Sequence, residues 1–277
     1  MSCPATAPPK SWTLSRRFLR PPILALLVSS LPAQDYFEGF DDAGKPPDRR
    51  GFAWDYRAEL SPVAGWSELI PGDGYAYLTA EHDLLKRRQG PWRFWPFQTL
   101  SFGPLGAGHR ISMRAKNTAI PGLAAMIFTY REQDTIDEID LEITATDTES
   151  RRPHHPTGPD GGWTDLRMAA WIAADKDKPE PTTLIKQPAH DAGGDALSLQ
   201  DDQFHVFAIE WDKNEVRFFI DGILQHTIDD AVPDRPARVI FGLRQMPWAG
   251  RADWDEPQTM TVDWVSVEPL EARRNLR

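Results

Sequence analysis

The sequence predicts an all-β sandwich. Short runs rich in aromatic and β-branched residues recur between turn signals along most of the chain. No stretch stands out with the apolar period of a helix, and no unit of roughly 20–50 residues repeats, which argues against α/β folds and solenoids. The 277 residues, 11 of them Trp, are enough to enclose one large core. Two curved antiparallel sheets packed as a β-jelly-roll fit this pattern best.

Taken in order, the first element is a targeting segment over 1–34. Lys10, Arg16, Arg17 and Arg20 form a positive start, Ile23 to Leu31 is a short apolar run, and Ala33 supplies a small residue for cleavage. The run is too short to cross a bilayer. A single domain over 35–277 is therefore expected to be secreted or periplasmic, with no membrane association beyond the leader. Cys3 is the one cysteine, so the mature domain would carry no disulfide. The leader holds four basic residues and no acid, so its loss takes the formal charge from −10 to about −14. Such a chain repels nucleic acid and anionic membranes, and a neutral polysaccharide is the fitting partner for what is expected to be a monomer.

Strands are expected at Tyr75–Ala80, Phe97–Phe102, Arg110–Ala115, Ala124–Tyr130, Glu138–Ala145, Leu166–Ala173, Phe204–Trp211, Val216–Ile220, Val239–Leu243 and Thr259–Val267. Two segments break the pattern, Ser150–Gly162 and Ala174–Asp202, both rich in Pro, Gly, Asp and His. Long loops of this kind are usually functional, and these two are expected to rim a cleft.

The fifth of these strands carries the chemistry. Glu138, Asp140 and Glu142 alternate with Ile139, Leu141 and Ile143, so three carboxylates share one face and three aliphatic side chains the other. Carboxylates crowded on a half-buried strand raise one another's pKa, a cost that acid–base chemistry explains. Glycoside hydrolysis needs such a set: one carboxylate attacks the sugar, a second protonates the leaving oxygen, and a retaining enzyme holds the two roughly 5–5.5 Å apart. Glu138 and Glu142 are about 13–14 Å apart at Cα on an extended strand, so their tips must lean together across Asp140, which can bias the protonation of either.

Three stretches together resemble the family 16 glycoside hydrolases. Asp137-Glu138-Ile139-Asp140-Leu141-Glu142 matches the signature Glu-x-Asp-x-Glu. Phe204 to Trp211 followed by Val216 to Gly222 is similar to the paired strands after the catalytic one, and Pro247-Trp248-Ala249-Gly250 with Met260 to Val267 is similar to the closing segment. The resemblance spans roughly Tyr36 to Pro269. It implies a concanavalin A-like jelly roll, a retaining endo-acting hydrolase of a β-glucan or galactan, Glu138 as nucleophile, Asp140 as its assistant and Glu142 as general acid/base. A transglycosylase using the same carboxylates and a non-catalytic carbohydrate-binding protein are the alternatives. No cofactor is expected for catalysis. The resemblance also implies a structural Ca²⁺, with Asp263 as side-chain ligand and backbone oxygens near Gly39 and Gly74.

Aromatic residues form the second constellation, since sugars present flat C–H faces to rings. Trp163, Trp171 and Trp248 are expected as substrate-binding residues, and Trp54, Trp211 and Trp264 as core. The lichenase pattern departs at two places: Ile136 stands where a Trp usually precedes the catalytic pair, and Gly242-Leu243-Arg244-Gln245 replaces Asn-Leu-Trp-Asn. Arg244 is thus a candidate either for binding an acidic sugar or for pairing with a cleft carboxylate, the second reading being favoured. His154-His155 reads as a solvated loop. No phosphate loop, serine nucleophile elbow or Cys/His metal cluster is present in the sequence.

Overall fold

The structure, a computed structural model, describes residues 36–48, 53–59, 65–80, 97–149, 163–250 and 256–271. The expected leader and the whole of the Ser150–Gly162 segment, with the His154-His155 pair, lie outside these residues. Fourteen strands and one short helix are described. They are β1 (Tyr36–Glu38), β2 (Asp55–Glu59), α1 (Trp66–Leu69), β3 (Ala76–Ala80), β4 (Phe97–Leu105), β5 (His109–Lys116), β6 (Leu123–Glu132) and β7 (Ile136–Thr144). After these come β8 (Asp165–Ala174), β9 (Thr183–Pro188), β10 (His205–Trp211), β11 (Val216–Ile220), β12 (Ile223–Ile228), β13 (Ala237–Gln245) and β14 (Gln258–Pro269).

Two seven-stranded antiparallel sheets result, as a jelly roll requires. One runs β1-β14-β5-β10-β11-β12, with β3 also paired to β14; the other runs β2-β4-β13-β6-β7-β8-β9. β14 is the longest strand, and its two halves serve different partners: Val265–Val267 pairs with β1, and Gln258–Val262 with β3. All ten expected strands are present. The Ala174–Asp202 segment is not wholly a loop, because β9 lies within it and forms the edge beyond β8.

Alternation along the strands fills one continuous core between the sheets. Leu100, Phe102, Ile127, Ile139, Leu141, Ile143, Leu166, Met168, Phe207, Ile209 and Phe241 all point into it and are fully buried or nearly so. Trp54 and Trp211 belong to this core, and the indole N–H of Trp211 donates to the carbonyl of Pro233. Trp264 does not: it is half-buried on the outer face of the first sheet, its ring 6.1 Å from that of exposed Phe37. A bulge between Val262 and Trp264 shifts the register there and turns this Trp outward.

Candidate active site

β7 is an inner strand, bonded to β6 on one side and β8 on the other over nearly its whole length. Ile139, Leu141 and Ile143 are wholly buried in the core, so the period of two sends Glu138, Asp140 and Glu142 to the opposite face. Register supplies their neighbours. Glu138 lies between Tyr130 of β6 and Trp171 of β8, Asp140 between Phe128 and Ala169, and Glu142 between Met126 and Arg167.

Ala169, beside Asp140, contributes only a methyl group, which leaves the diagonal across β8 open for an aromatic side chain. Trp171 takes it: its indole N–H donates to Asp140 Oδ2 at 2.7 Å. Trp171 therefore fixes the middle carboxyl as well as sitting beside Glu138. A bulge between Ile136 and Glu138 sets the row's lower end. Asp137, 1% exposed at that bulge, accepts the backbone N–H of Ala173 at 2.9 Å and pairs with Arg131 and Arg235. Ala173 has φ of +49°, so Asp137 secures the turned backbone just beyond Trp171. Sequence reading assigned Asp137 no role; a carboxylate inside an apolar strand, adjacent to the row, was the available signal.

Across the sheet, Gly242 of β13 faces Met126 of β6 and Thr99 of β4. A Cβ there would meet Gln98 O at 2.5 Å and Thr99 Cγ2 at 2.6 Å, so only glycine lets β4 approach this closely. Arg244, two residues on, has its guanidinium 5.6 Å from the Phe97 ring and exerts its charge on both Glu138 and Glu142.

The other candidates are placed as follows. Trp248 is 9% exposed, with one ring face covered by the Arg167 guanidinium at 3.9 Å, which leaves little of it to meet a sugar. Trp163 is half-buried two residues before β8, off the Arg167 end of that strand. Asp263 sits in the β14 bulge with its carboxylate paired to Arg114, whose guanidinium lies 4.5 Å over Phe204. A structural cation would have to displace that arginine. Among the described residues no group of three or more His, Cys, Asp or Glu side chains is arranged for a metal. The calcium site implied by the resemblance would take Asp263 with backbone oxygens near Gly39 and Gly74, and the Asp263 carboxylate is paired with Arg114 here.

Electrostatics follow from burial. Glu142 is pushed up to about 8, first by burial and then by the charge of Asp140, with Arg167 and Arg244 pulling the other way. Burial lifts Asp140 to about 6 against the hydrogen bonds from Glu138 and Trp171. Glu138 is raised well above the ordinary range, by burial, by Asp140 and by Glu142. The row keeps protons at neutral pH, and the hydrogen bond between Glu138 and Asp140 lets those two share one.

Two carboxyls flanking a third on the outward face of a sandwich sheet are the kind of set that glycoside hydrolysis uses. The comparisons make the assignment specific. Residues 106–266, more than half of the chain, match the model for glycosyl hydrolases family 16, and the chain belongs to that family. It is 22% identical over 246 residues to a beta-glucanase of Brevibacillus brevis, covering 85% of this chain and 82% of that one. A beta-glucanase of Paenibacillus polymyxa is 25% identical over 165 residues, 57% of each chain. Among solved structures, a prokaryotic beta-1,3-1,4-glucanase (lichenase) derived from a mouse hindgut metagenome shares the fold at a TM-score of 0.58 and 18% identity, over 85% of this chain and 99% of that one.

Proposed function

We propose that this protein is a retaining, endo-acting hydrolase of a β-linked polysaccharide, exported from the cell. The observation that carries the reading is the row on β7, with its outer members two positions either side of an Asp held by Trp171. In the first step Glu138 attacks the anomeric carbon while its shared proton rests on Asp140. The Glu142 O–H bond breaks toward the glycosidic oxygen as the C–O bond to the leaving sugar cleaves. Water then gives its proton to Glu142 and its oxygen to the anomeric carbon, releasing Glu138 and restoring the starting state. Burial serves both steps: it keeps Glu142 protonated at neutral pH and strengthens the pull of the attacking carboxylate.

A β-glucan is the favoured substrate class because of the beta-glucanase relatives, with galactans next. Trp171 and Trp163 are the aromatic residues proposed to border the bound sugars, and Arg244 to adjust the charge of the row from the β13 side. The test is release of reducing sugar by the purified protein from mixed-linkage β-glucan, laminarin, xyloglucan, agarose and carrageenan, with Glu138→Gln as control. Cleavage of one polymer that vanishes in the variant, with the β-anomer as first product by NMR, supports the reading. Activity undiminished in Glu138→Gln would sink it. Products longer than the starting chain in the presence of an acceptor sugar would instead mark a transglycosylase.

A further inference from the structure

Arg167 stands where the catalytic row joins three other parts of the molecule. It is 8% exposed on β8, directly opposite Glu142. Its Nη1 lies 3.1 Å from Glu149 Oε2 and 3.7 Å from Asp147 Oδ2, both in the segment that leaves β7. Its flat face covers the Trp248 ring. Trp248 is in turn fastened to the same segment, because its carbonyl accepts the Thr148 N–H at 2.8 Å and the Thr148 hydroxyl at 3.2 Å. The guanidinium is thus fixed in plane and position by an aromatic face and two carboxylates.

One donor of that fork is unspent. Arg167 Nε is buried and makes no hydrogen bond among the described residues, yet it lies 3.6 Å from Glu142 Oε2. A shift of a few tenths of an ångström closes the contact. This geometry is that of a donor prepared for a charge that has yet to develop.

We propose that Arg167 is a positioning residue for Glu142, which holds that carboxyl in place and stabilises the anion left when its proton passes to the leaving oxygen. The inference rests on the proton-donor role given to Glu142 above. The charged groups around Glu142 agree with it. Asp140 on its own strand, Glu138 beyond it and Asp147 after β7 all oppose ionisation, Met126 on β6 is neutral, and Arg167 on β8 and Arg244 on β13 favour it. Of the two arginines, Arg167 is the one in register with Glu142. Lys186 on β9 bonds Glu149 at 2.9 Å and so shares that carboxylate with Arg167, leaving it charge to offer Glu142.

The test compares Arg167→Gln and Arg167→Lys with the wild type. For Arg167→Gln, kcat/KM on the polymer falls about 10–100-fold and the alkaline limb of its pH profile moves to higher pH. On a dinitrophenyl glycoside of the same sugar, whose leaving group needs no proton, the first step falls less than about threefold. Arg167→Lys keeps the charge, so its alkaline limb stays close to that of the wild type even where Arg167→Gln folds poorly. In protein labelled at the glutamate carboxyl carbon, the signal absent from Glu142→Gln titrates at higher pH in Arg167→Gln. An unmoved titration and an unmoved alkaline limb overturn the proposal, as do equal losses on polymer and aryl glycoside. A wild type silent on every polymer strikes at the hydrolase reading instead, and the carboxyl titration then decides the role of Arg167 alone.

Discussion

The two sheets bury charge on their outward faces in opposite ways. On the first sheet, Glu210 of β10 is 4% exposed and held between Arg110 of β5 at 2.8 Å and Arg217 of β11 at 2.9 Å, with the Arg110 guanidinium 4.7 Å over Phe219. On the second, β7 sets three carboxyls beside one another and leaves them to share protons. The first arrangement sets its buried carboxylate between two ions of opposite charge. The second stays reactive because its acids are each other's neighbours. Both lie on well-paired inner strands, so the difference is in the choice of partner and not in the backbone.

The contrast is broken most completely by Glu138→Gln. It is expected to lower turnover on the order of 10⁴-fold or more while leaving thermal unfolding within a few degrees of the wild type, measured by reducing-sugar release and calorimetry. Glu210→Gln is expected to do the reverse. A buried arginine losing its partner costs about 3–5 kcal/mol, or roughly 8–15 °C in Tm for a domain of this size, while activity per folded molecule at low temperature stays unchanged.

A third experiment uses pH. Activity needs a proton on Glu142 and one negative charge on the Glu138–Asp140 pair, so kcat/KM should peak between about 6 and 8 and fall on both sides. Stability should follow the same groups. Their folded pKa values lie above the unfolded ones, so the folded state binds extra protons and stability falls progressively as pH rises from about 4 to about 8. Glu142→Gln removes part of that loss, and its Tm advantage over the wild type should grow from none near pH 4 to about 5 °C at pH 9.

The smallest effect belongs to His205, which binds Asp221 at 2.7 Å and Asp201 at 3.2 Å. Asp221 first and then Asp201 raise its pKa. The stabilisation is therefore full below the unfolded value of about 6.5 and is lost as pH rises through the raised folded one. His205→Asn should lower Tm by a degree or two at pH 5.5 and by less at alkaline pH, as read by circular dichroism.

Strands with a buried apolar face were legible from alternation alone, and so was the row on β7. The four strands that escaped notice did so for separate reasons. β1 is three residues long, and β2, Asp-Tyr-Arg-Ala-Glu, is a polar edge with no apolar face to read. β9 is an edge strand inside a segment rich in turn formers, half-buried at every position. β12 could have been found, since Asp221-Gly222 with φ of +50° and +81° forms a two-residue hairpin turn between Ile220 and Ile223. The site was less readable than the fold. Arg167 and Asp137 look like ordinary strand charges until register sets one opposite Glu142 and puts the other at a bulge. The contacts of the aromatic residues were hidden for a related reason, because composition does not say that Trp248 will spend a face on an arginine or that Trp171 will bond Asp140 through its nitrogen.

β14 gives the molecule an order in time. It is the last of the described strands to be made, yet β1, β3 and β5 all need it as a partner, and each is separated from it by well over a hundred residues of chain. The first sheet cannot close until β14 has been made. Until then β1 and β3 have no strand to pair with, and their edges stay exposed. Removing the last dozen residues of the sheet would therefore do more than shorten the protein: it would leave the first strands made without the one they wait for.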